Sequence, residues 1–315
     1  MVKKIAFVFP GQGSQSVGMG KDLYENFAAA KNVFDTADKV LGKSVTTICF
    51  EGPEDDLKLT VNTQPSIVTM SIAALEAFKS ELDVEVSATA GHSLGEYCAM
   101  YASGVMDLET TLKAIQKRAD LMGATKGGAM AAILNAPEGS IEKAIEEASS
   151  VGYVDVANYN SPAQVVITGD ETAVAKAGEL LSAAGAKRVV PLAVSGAFHS
   201  KFMEKAGNEF ADFVSELDLK DALIPVFTNV DAEATVLGAE FKNKMPKQIY
   251  SSVQWTQSVQ KMVAEGVDTF VEIGPGKVLA GLIKKIDASV SVYNVYDKAS
   301  LDATVLSLKE EMAAV

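Results

Sequence analysis

Apolar residues in this chain fall into two patterns, short unbroken runs and longer stretches that repeat every three to four positions. Residues 5–9, Ile-Ala-Phe-Val-Phe, are an unbroken run that ends in Pro10-Gly11. They predict a strand covered on both faces and followed by a turn. Helical periodicity follows over residues 21–41 and 65–82, the second with Ile67, Met70, Ile72, Leu75 and Phe78 on its apolar face. Residues 84–90 read as a strand, and a helix starts at Leu94, with Tyr97, Cys98, Tyr101 and Val105 continuing its stripe. Over residues 107–122, Leu108, Leu112, Ile115, Ala119 and Met122 share one face until Gly123 stops the helix. At about 100° per residue Lys117 points away from that face, and Arg118 sits half-buried at its edge.

Beyond the flexible stretch Thr125-Lys126-Gly127-Gly128 the style changes. Strand 129–134, helix 138–149, strands 153–158 and 164–168, helix 171–184 and strand 187–192 follow in the order βαββαβ, which predicts a ferredoxin-like unit. After it the larger pattern resumes: a helix to residue 217, strand 224–230, helices to 264, strand 267–273, a Gly274-Pro275-Gly276 turn, a helix, strand 290–296 and a last helix. The expected fold is α/β, a mostly parallel sheet with helices on both faces plus an inserted ferredoxin-like small domain. Residues 1–126 and 195–315 form the large domain, α/β-hydrolase-like, and residues 127–194 the small one.

Composition narrows the function classes. The 315 residues are 48 % hydrophobic and 22 % charged, an ordinary globular balance. With 28 basic against 41 acidic residues the formal charge is −13, which argues against nucleic acid or an anionic membrane as a general partner. No apolar run is long enough to span a membrane, and the run after Lys3-Lys4 is too short for a signal peptide, so a cytoplasmic setting is expected. Cys49 and Cys98 are too few for a disulfide framework or a thiolate metal site. With only His92 and His199 present, the candidates for histidine acid–base work are few.

Gly91-His92-Ser93-Leu94-Gly95 is a G-x-S-x-G sequence between a predicted strand and a predicted helix. That context suits a nucleophile elbow, with Ser93 on a strained turn and the Leu94 N–H as one oxyanion donor. A structural glycine turn is the alternative. Ser93 would need a base. His92 is adjacent, but neighbouring side chains diverge on a tight elbow, and it suits a packing role. His199, in a loop returning from the inserted block, can reach a cleft between domains; a surface or capping histidine is the alternative. Pro10-Gly11-Gln12-Gly13 lacks the lysine and third glycine of phosphate-binding loops; it suits either a plain turn or a second oxyanion donor at Gln12. Arg118 reads as a snorkelling arginine or as the binder of a carboxylate.

Five motifs in register change the picture. Gly11-Gln12-Gly13-Ser14-Gln15, the elbow with Glu96, Ala197-Phe198-His199-Ser200, Val253-Gln254-Trp255-Thr256 and Glu272-Ile273-Gly274-Pro275-Gly276 together resemble the malonyl-CoA:acyl carrier protein transacylases. The resemblance runs essentially end to end. It implies Ser93 as the acylated nucleophile, His199 as its base, Gln12 and Leu94 N–H groups as the oxyanion hole, and Gln254 as the residue orienting His199 through its backbone carbonyl. It implies Arg118 as the binder of the malonyl carboxylate and Asn160 as a substrate contact. Malonyl-CoA and a holo acyl carrier protein are the implied partners, with no metal or redox cofactor, since one thioester is exchanged for another. A freestanding monomer is expected. Because carrier proteins are acidic, a basic rim is expected, with Lys187-Arg188, Lys284-Lys285 and Lys201 as candidates. The competing class is a serine esterase or thioesterase using the same elbow and histidine, for which Asp155 or Asp170 would be the acid.

Overall fold

The computed structural model describes residues 3–194 and 196–313, so the expected domain junction at residue 195 lies outside the described residues. Among the described residues ten strands form two sheets: β1 (Ile5–Phe9), β2 (Val86–Gly91), β3 (Ala129–Leu134), β4 (Val154–Ser161), β5 (Gln164–Gly169), β6 (Arg188–Pro191), β7 (Val226–Phe227), β8 (Ala234–Thr235), β9 (Thr269–Ile273) and β10 (Ser291–Val295). The larger sheet has the order β10-β9-β1-β2-β7-β8, parallel throughout except for the antiparallel β7–β8 pair. β1 is central, and all five of its residues are buried. Ile5, Phe7 and Phe9 pack into one core with the helices Ala28–Leu41 and Thr60–Glu81. Ala6 and Val8 face the other way, onto Trp255, Val259, Met262 and Leu279. Two covered faces explain the unbroken apolar run.

The helix Thr60–Glu81 begins five residues before the expected start, and Thr63 to Leu75 is buried without a break. Pro65 lies inside it and cannot donate to the Val61 carbonyl. That carbonyl instead accepts from Lys43 Nζ at 3.0 Å and Gln116 Nε2 at 3.3 Å, so tertiary donors replace the missing helix bond. The elbow helix, Gly95–Ala102, stops short of Val105, because Gly104 turns at φ 77° and the Val105 N–H bonds back to the Met100 carbonyl. The expected strand 224–230 yields only β7. Thr228 Oγ1 donates to Asp231 Oδ1 at 2.7 Å and Ala232 takes φ 56°, folding the chain back into β8.

The smaller sheet is antiparallel, in the order β4-β5-β3-β6 that a βαββαβ chain gives in a ferredoxin-like unit. Its helices Ser140–Ala148 and Glu171–Ala184 cover Ala131, Ile133 and Ile167 on one face. Met130, Ala132 and Val166 point to the other face and join the core of the larger sheet. The edge of β4 is tied to the large unit by main-chain bonds between Tyr159 and Val253 at 3.0 Å and between Val253 and Ala157 at 2.8 Å. The loops after β1 and β2 therefore open toward the cleft between the two sheets.

Two glycines fix the approach of the elbow helix. A Cβ on Gly91 would lie 1.9 Å from the Gly95 carbonyl carbon, and a Cβ on Gly95 would lie 2.2 Å from the Phe9 carbonyl oxygen. Both obstacles are backbone, which cannot swing aside. Gly95→Ala should therefore lower the stability to urea by roughly 3 kcal/mol or more, with a matching fall in the unfolding midpoint. An unchanged midpoint would mean that the helix does not rest on β1 as described.

Candidate active site

Ser93 stands between β2 and the helix Gly95–Ala102 with φ 52°, a conformation that costs a non-glycine residue about 1–3 kcal/mol unless its surroundings enforce it. Asn229 does so from the turn after β7. Its Oδ1 accepts the Ser93 N–H at 2.8 Å, and its Nδ2 donates to the Gly91 carbonyl at 2.7 Å, bridging the elbow. The Asn229 N–H in turn donates to Glu96 Oε2 at 2.6 Å. Burial pushes the Glu96 carboxyl up to about 7, against that backbone bond and the nearby Arg118 charge. Among the described residues no acceptor is bonded to the Leu94 or Gln12 N–H.

His199, also at positive φ (54°), reaches Ser93 across the cleft: its Nε2 lies 2.8 Å from Ser93 Oγ. The other ring nitrogen, Nδ1, faces the Gln248 carbonyl at 2.9 Å and the Ser251 carbonyl at 3.1 Å. Carbonyls only accept, so Nδ1 carries the proton and Nε2 presents its lone pair to the serine hydroxyl. This corrects the expectation for Gln254. Its carbonyl is the N-cap acceptor of the helix Trp255–Ala264, bonded to Ser258 N, and its N–H is bonded to Asn229. The four-residue segment that turns toward His199, Gln248 to Ser251, ends three residues earlier. Burial, and after it the positive charges of Arg118 and His92, hold the His199 pKa down to about 3.

Arg118 is fully buried rather than half-buried at a helix edge. The helix Leu108–Ala124, capped by the Asp107 side chain at the Thr110 N–H, carries it inward. Nη1 donates to Gln64 Oε1 at 2.7 Å, and Nη2 donates to Gln248 Oε1 and to Ser93 Oγ, both at 3.0 Å. Nε has no partner, and among the described residues no carboxylate is ion-paired with the guanidinium. Burial pulls its pKa below the ordinary arginine value. Gln248 is thus shared: its carbonyl holds His199, its Oε1 holds Arg118, and its Nε2 donates to the Ser93 carbonyl at 2.7 Å.

These groups surround a small cavity of about 100 Å³, lined by Gln12, Ser93, Arg118, Met122, Phe198 and His199 among others. Asn160 does not line it; its Oδ1 is 2.7 Å from His92 Nε2, so it holds His92, whose ring also leans on Trp255. Asn158, on the same strand, faces the cavity instead. Gln64, Asn229 and Gln248 escaped the sequence reading. The one legible signal was Gln64, an amide just ahead of Pro65 and of the apolar periodicity that follows it.

The fold and this constellation are those of an α/β protein that presents a serine on a strand–helix elbow to a neutral histidine. More narrowly, the chain belongs to the acyl transferase domain family, whose model matches residues 6–307. It is 43 % identical to the malonyl CoA-acyl carrier protein transacylase of Bacillus subtilis (strain 168), over 98 % of this chain and 99 % of that protein. Its likeness to the protein of the same name from Escherichia coli (strain K12) is 37 % over 96 % of this chain and 99 % of the other. A crystal structure of an acyl carrier protein S-malonyltransferase from Vibrio cholerae superposes with a TM-score of 0.93 at 41 % identity, covering 96 % of this chain and 100 % of that one. A type II PKS acyl-carrier protein in complex with its malonyl-transacylase also gives 0.93, at 36 % identity, covering 97 % of this chain and 100 % of that one.

The depressed His199 pKa has a stability consequence. In the unfolded chain the imidazole titrates near 6.5, whereas in the fold it stays neutral down to about 3. Between those values the unfolded chain holds a proton that the folded chain lacks. The His199 contribution is therefore intact above about pH 6.5, and stability falls as pH drops toward 3. His199→Asn should flatten that limb in urea unfolding at pH 5 and pH 8. Identical pH dependences in the two proteins would show that His199 is not held neutral.

Proposed function

We propose that this protein transfers a malonyl group from malonyl-CoA to the phosphopantetheine thiol of an acyl carrier protein in fatty acid biosynthesis, by way of a malonyl-Ser93 ester. The observation that carries the reading is the buried Arg118 guanidinium, ion-paired with no carboxylate among the described residues and 3.0 Å from the serine oxygen. Relatives that cover nearly the whole chain carry the corresponding name. His199 Nε2 takes the Ser93 hydroxyl proton as Oγ attacks the thioester carbonyl, and the Gln12 and Leu94 N–H groups receive the oxyanion. The carbon–sulfur bond breaks and the CoA thiolate leaves with the proton from His199. The carrier thiol then gives its proton to His199, attacks the ester carbonyl and departs as the malonyl thioester, restoring Ser93–OH. One thioester replaces another, so energy and electrons balance without a further reactant.

Arg118 supplies selection. A carboxylate seated on it gains a charge-assisted bond in a site with little water, and an acetyl group gains none. The cavity suits a short acyl unit. Residues 1–126 with 195–315 serve as the catalytic unit in this reading, and residues 127–194 close the cavity from the other side. The cytoplasm is the setting that fits it; among the described residues no helix is long and apolar enough to cross a membrane. The esterase alternative has no support from the acids it would need. Asp155 accepts the Val156 N–H and Asp170 the Tyr153 N–H, and neither is bonded to His199.

Incubation with malonyl-CoA should add one malonyl unit by intact mass, and holo carrier protein should remove it. Ser93→Ala should show no adduct; an adduct on that variant would overturn the assignment. Arg118→Ala should lose malonyl transfer at least tenfold more than acetyl transfer, since a charged hydrogen bond of about 1.5–3 kcal/mol is removed from one substrate alone. Equal losses would refute the selection role. Because His199 stays neutral, single-turnover acylation should show no inflection near pH 6.5; a tenfold drop per unit below that value would contradict it.

A further inference from the structure

Gln248 serves three groups of the site at once, yet its own helix holds it loosely. Its carbonyl faces His199 Nδ1 at 2.9 Å, its Oε1 accepts from Arg118 at 3.0 Å, and its Nε2 donates to the Ser93 carbonyl at 2.7 Å. It is the last residue of the helix Gly238–Gln248, and Pro246 lies two positions before it. Proline has no N–H to give to the Lys242 carbonyl, so the final turn lacks one bond of the helix ladder. A contact from outside the helix is needed to fix where that turn stands. We propose that Lys244 supplies it, as a positioning residue that registers Gln248 against Asn229 and thereby sets both the rate and the acyl selection of the site. The proposal rests on the transfer reading above and adds a residue that acts only through others.

Lys244 stands one turn before Gln248 on the same helix, about 6 Å of rise away. Its ammonium has three N–H groups, and the β7–β8 hairpin offers three oxygens to them: Thr235 Oγ1 at 2.7 Å, Asp231 Oδ2 at 2.8 Å and Thr228 Oγ1 at 3.3 Å. Thr228 and Thr235 are fully buried and the lysine is half-buried, so water competes less here than at an exposed ion pair. The Thr228 hydroxyl is oriented for this, since it donates to Asp231 Oδ1 and leaves its lone pairs to the lysine.

The same hairpin carries Asn229, whose Oδ1 accepts the Ser93 N–H and lies 3.3 Å from Gln248 Nε2. The contacts therefore close into a ring that runs from Lys244 to the hairpin, on to Asn229, across to Gln248 and back along the helix. Opening the ring at Lys244 frees the helix end and the hairpin to slide past one another. Ser93, His199 and Arg118 would all lose their registration, while the surfaces that bind the rest of the substrate stay in place. Lys242, on the same helix, makes a useful contrast: its Nζ bonds the Ser215 carbonyl, at the end of the helix Glu204–Ser215 and away from the hairpin.

The test compares Lys244→Met, which keeps an unbranched stem and removes the ammonium, with Lys242→Met. For each, the rate of Ser93 labelling by a fluorophosphonate and the single-turnover acylation by malonyl-CoA and acetyl-CoA are measured per folded site. Lys244→Met should slow labelling and malonyl acylation about tenfold with KM for malonyl-CoA within about twofold, and should lower the malonyl-to-acetyl ratio about threefold. Lys244→Arg, which keeps a cation toward Asp231, should recover part of the rate, and Lys242→Met should match the wild type. Asp231→Asn weakens the same grip from the hairpin side and should shift rate and ratio in the same direction, which keeps the test open where Lys244→Met fails to fold. Unchanged rates per folded site in the Lys244 and Asp231 variants would overturn the proposal, and so would equal losses in Lys244→Met and Lys242→Met. A wild type that is labelled by the fluorophosphonate but takes no malonyl adduct would bring down the transfer reading, with the role of Lys244 then decided by the labelling rates.

Discussion

Arg118 carries a positive charge into a place without a carboxylate partner, and much of the site follows from keeping it there. A buried, uncompensated ion costs several kcal/mol, so its donors must be met by well-placed acceptors. Gln64 arrives from the long central helix, Gln248 from the helix Gly238–Gln248, and Ser93 from the elbow; all three acceptors are neutral. They hold the guanidinium without cancelling its charge. The field remains available to a substrate anion, and the nucleophile stands directly beside it.

The same logic explains how the base is held. Two backbone carbonyls orient His199 where many serine enzymes use a carboxylate. A carboxylate here would compete with the substrate for Arg118. Burial and the arginine together keep the imidazole neutral, ready to accept a proton. When a substrate carboxylate neutralises Arg118, one cause of that depression is removed, and the imidazolium formed during attack is easier to bear. Substrate binding and base strength are coupled through one guanidinium.

Much of this was legible in the sequence, for physical reasons. The unbroken run at residues 5–9 marked a doubly covered strand, and the βαββαβ order marked the inserted sheet. Glycines two before and two after Ser93 marked the elbow, because backbone occupies the space their side chains would need. Less legible were contacts made between distant segments. Asn229 bridges the elbow from 136 residues away, and nothing local distinguishes it from any turn asparagine. Gln254 was named from a recognisable motif, whereas the two carbonyls that meet His199 depend on how the Gln248–Ser251 turn is oriented. The depth of Arg118 was underestimated for a similar reason. Periodicity places it at the edge of its own helix face, and only the crossing of the central helix covers that edge.

The central claim, that a buried arginine lacks an anion which the substrate supplies, predicts a gain in stability on malonylation. The direct measurement is the melting temperature of the unmodified protein, of the protein carrying malonyl on Ser93, and of the protein carrying acetyl there. The malonyl form should melt several degrees above both others, because its carboxylate neutralises Arg118. Equal melting temperatures for the malonyl and acetyl forms would contradict the account.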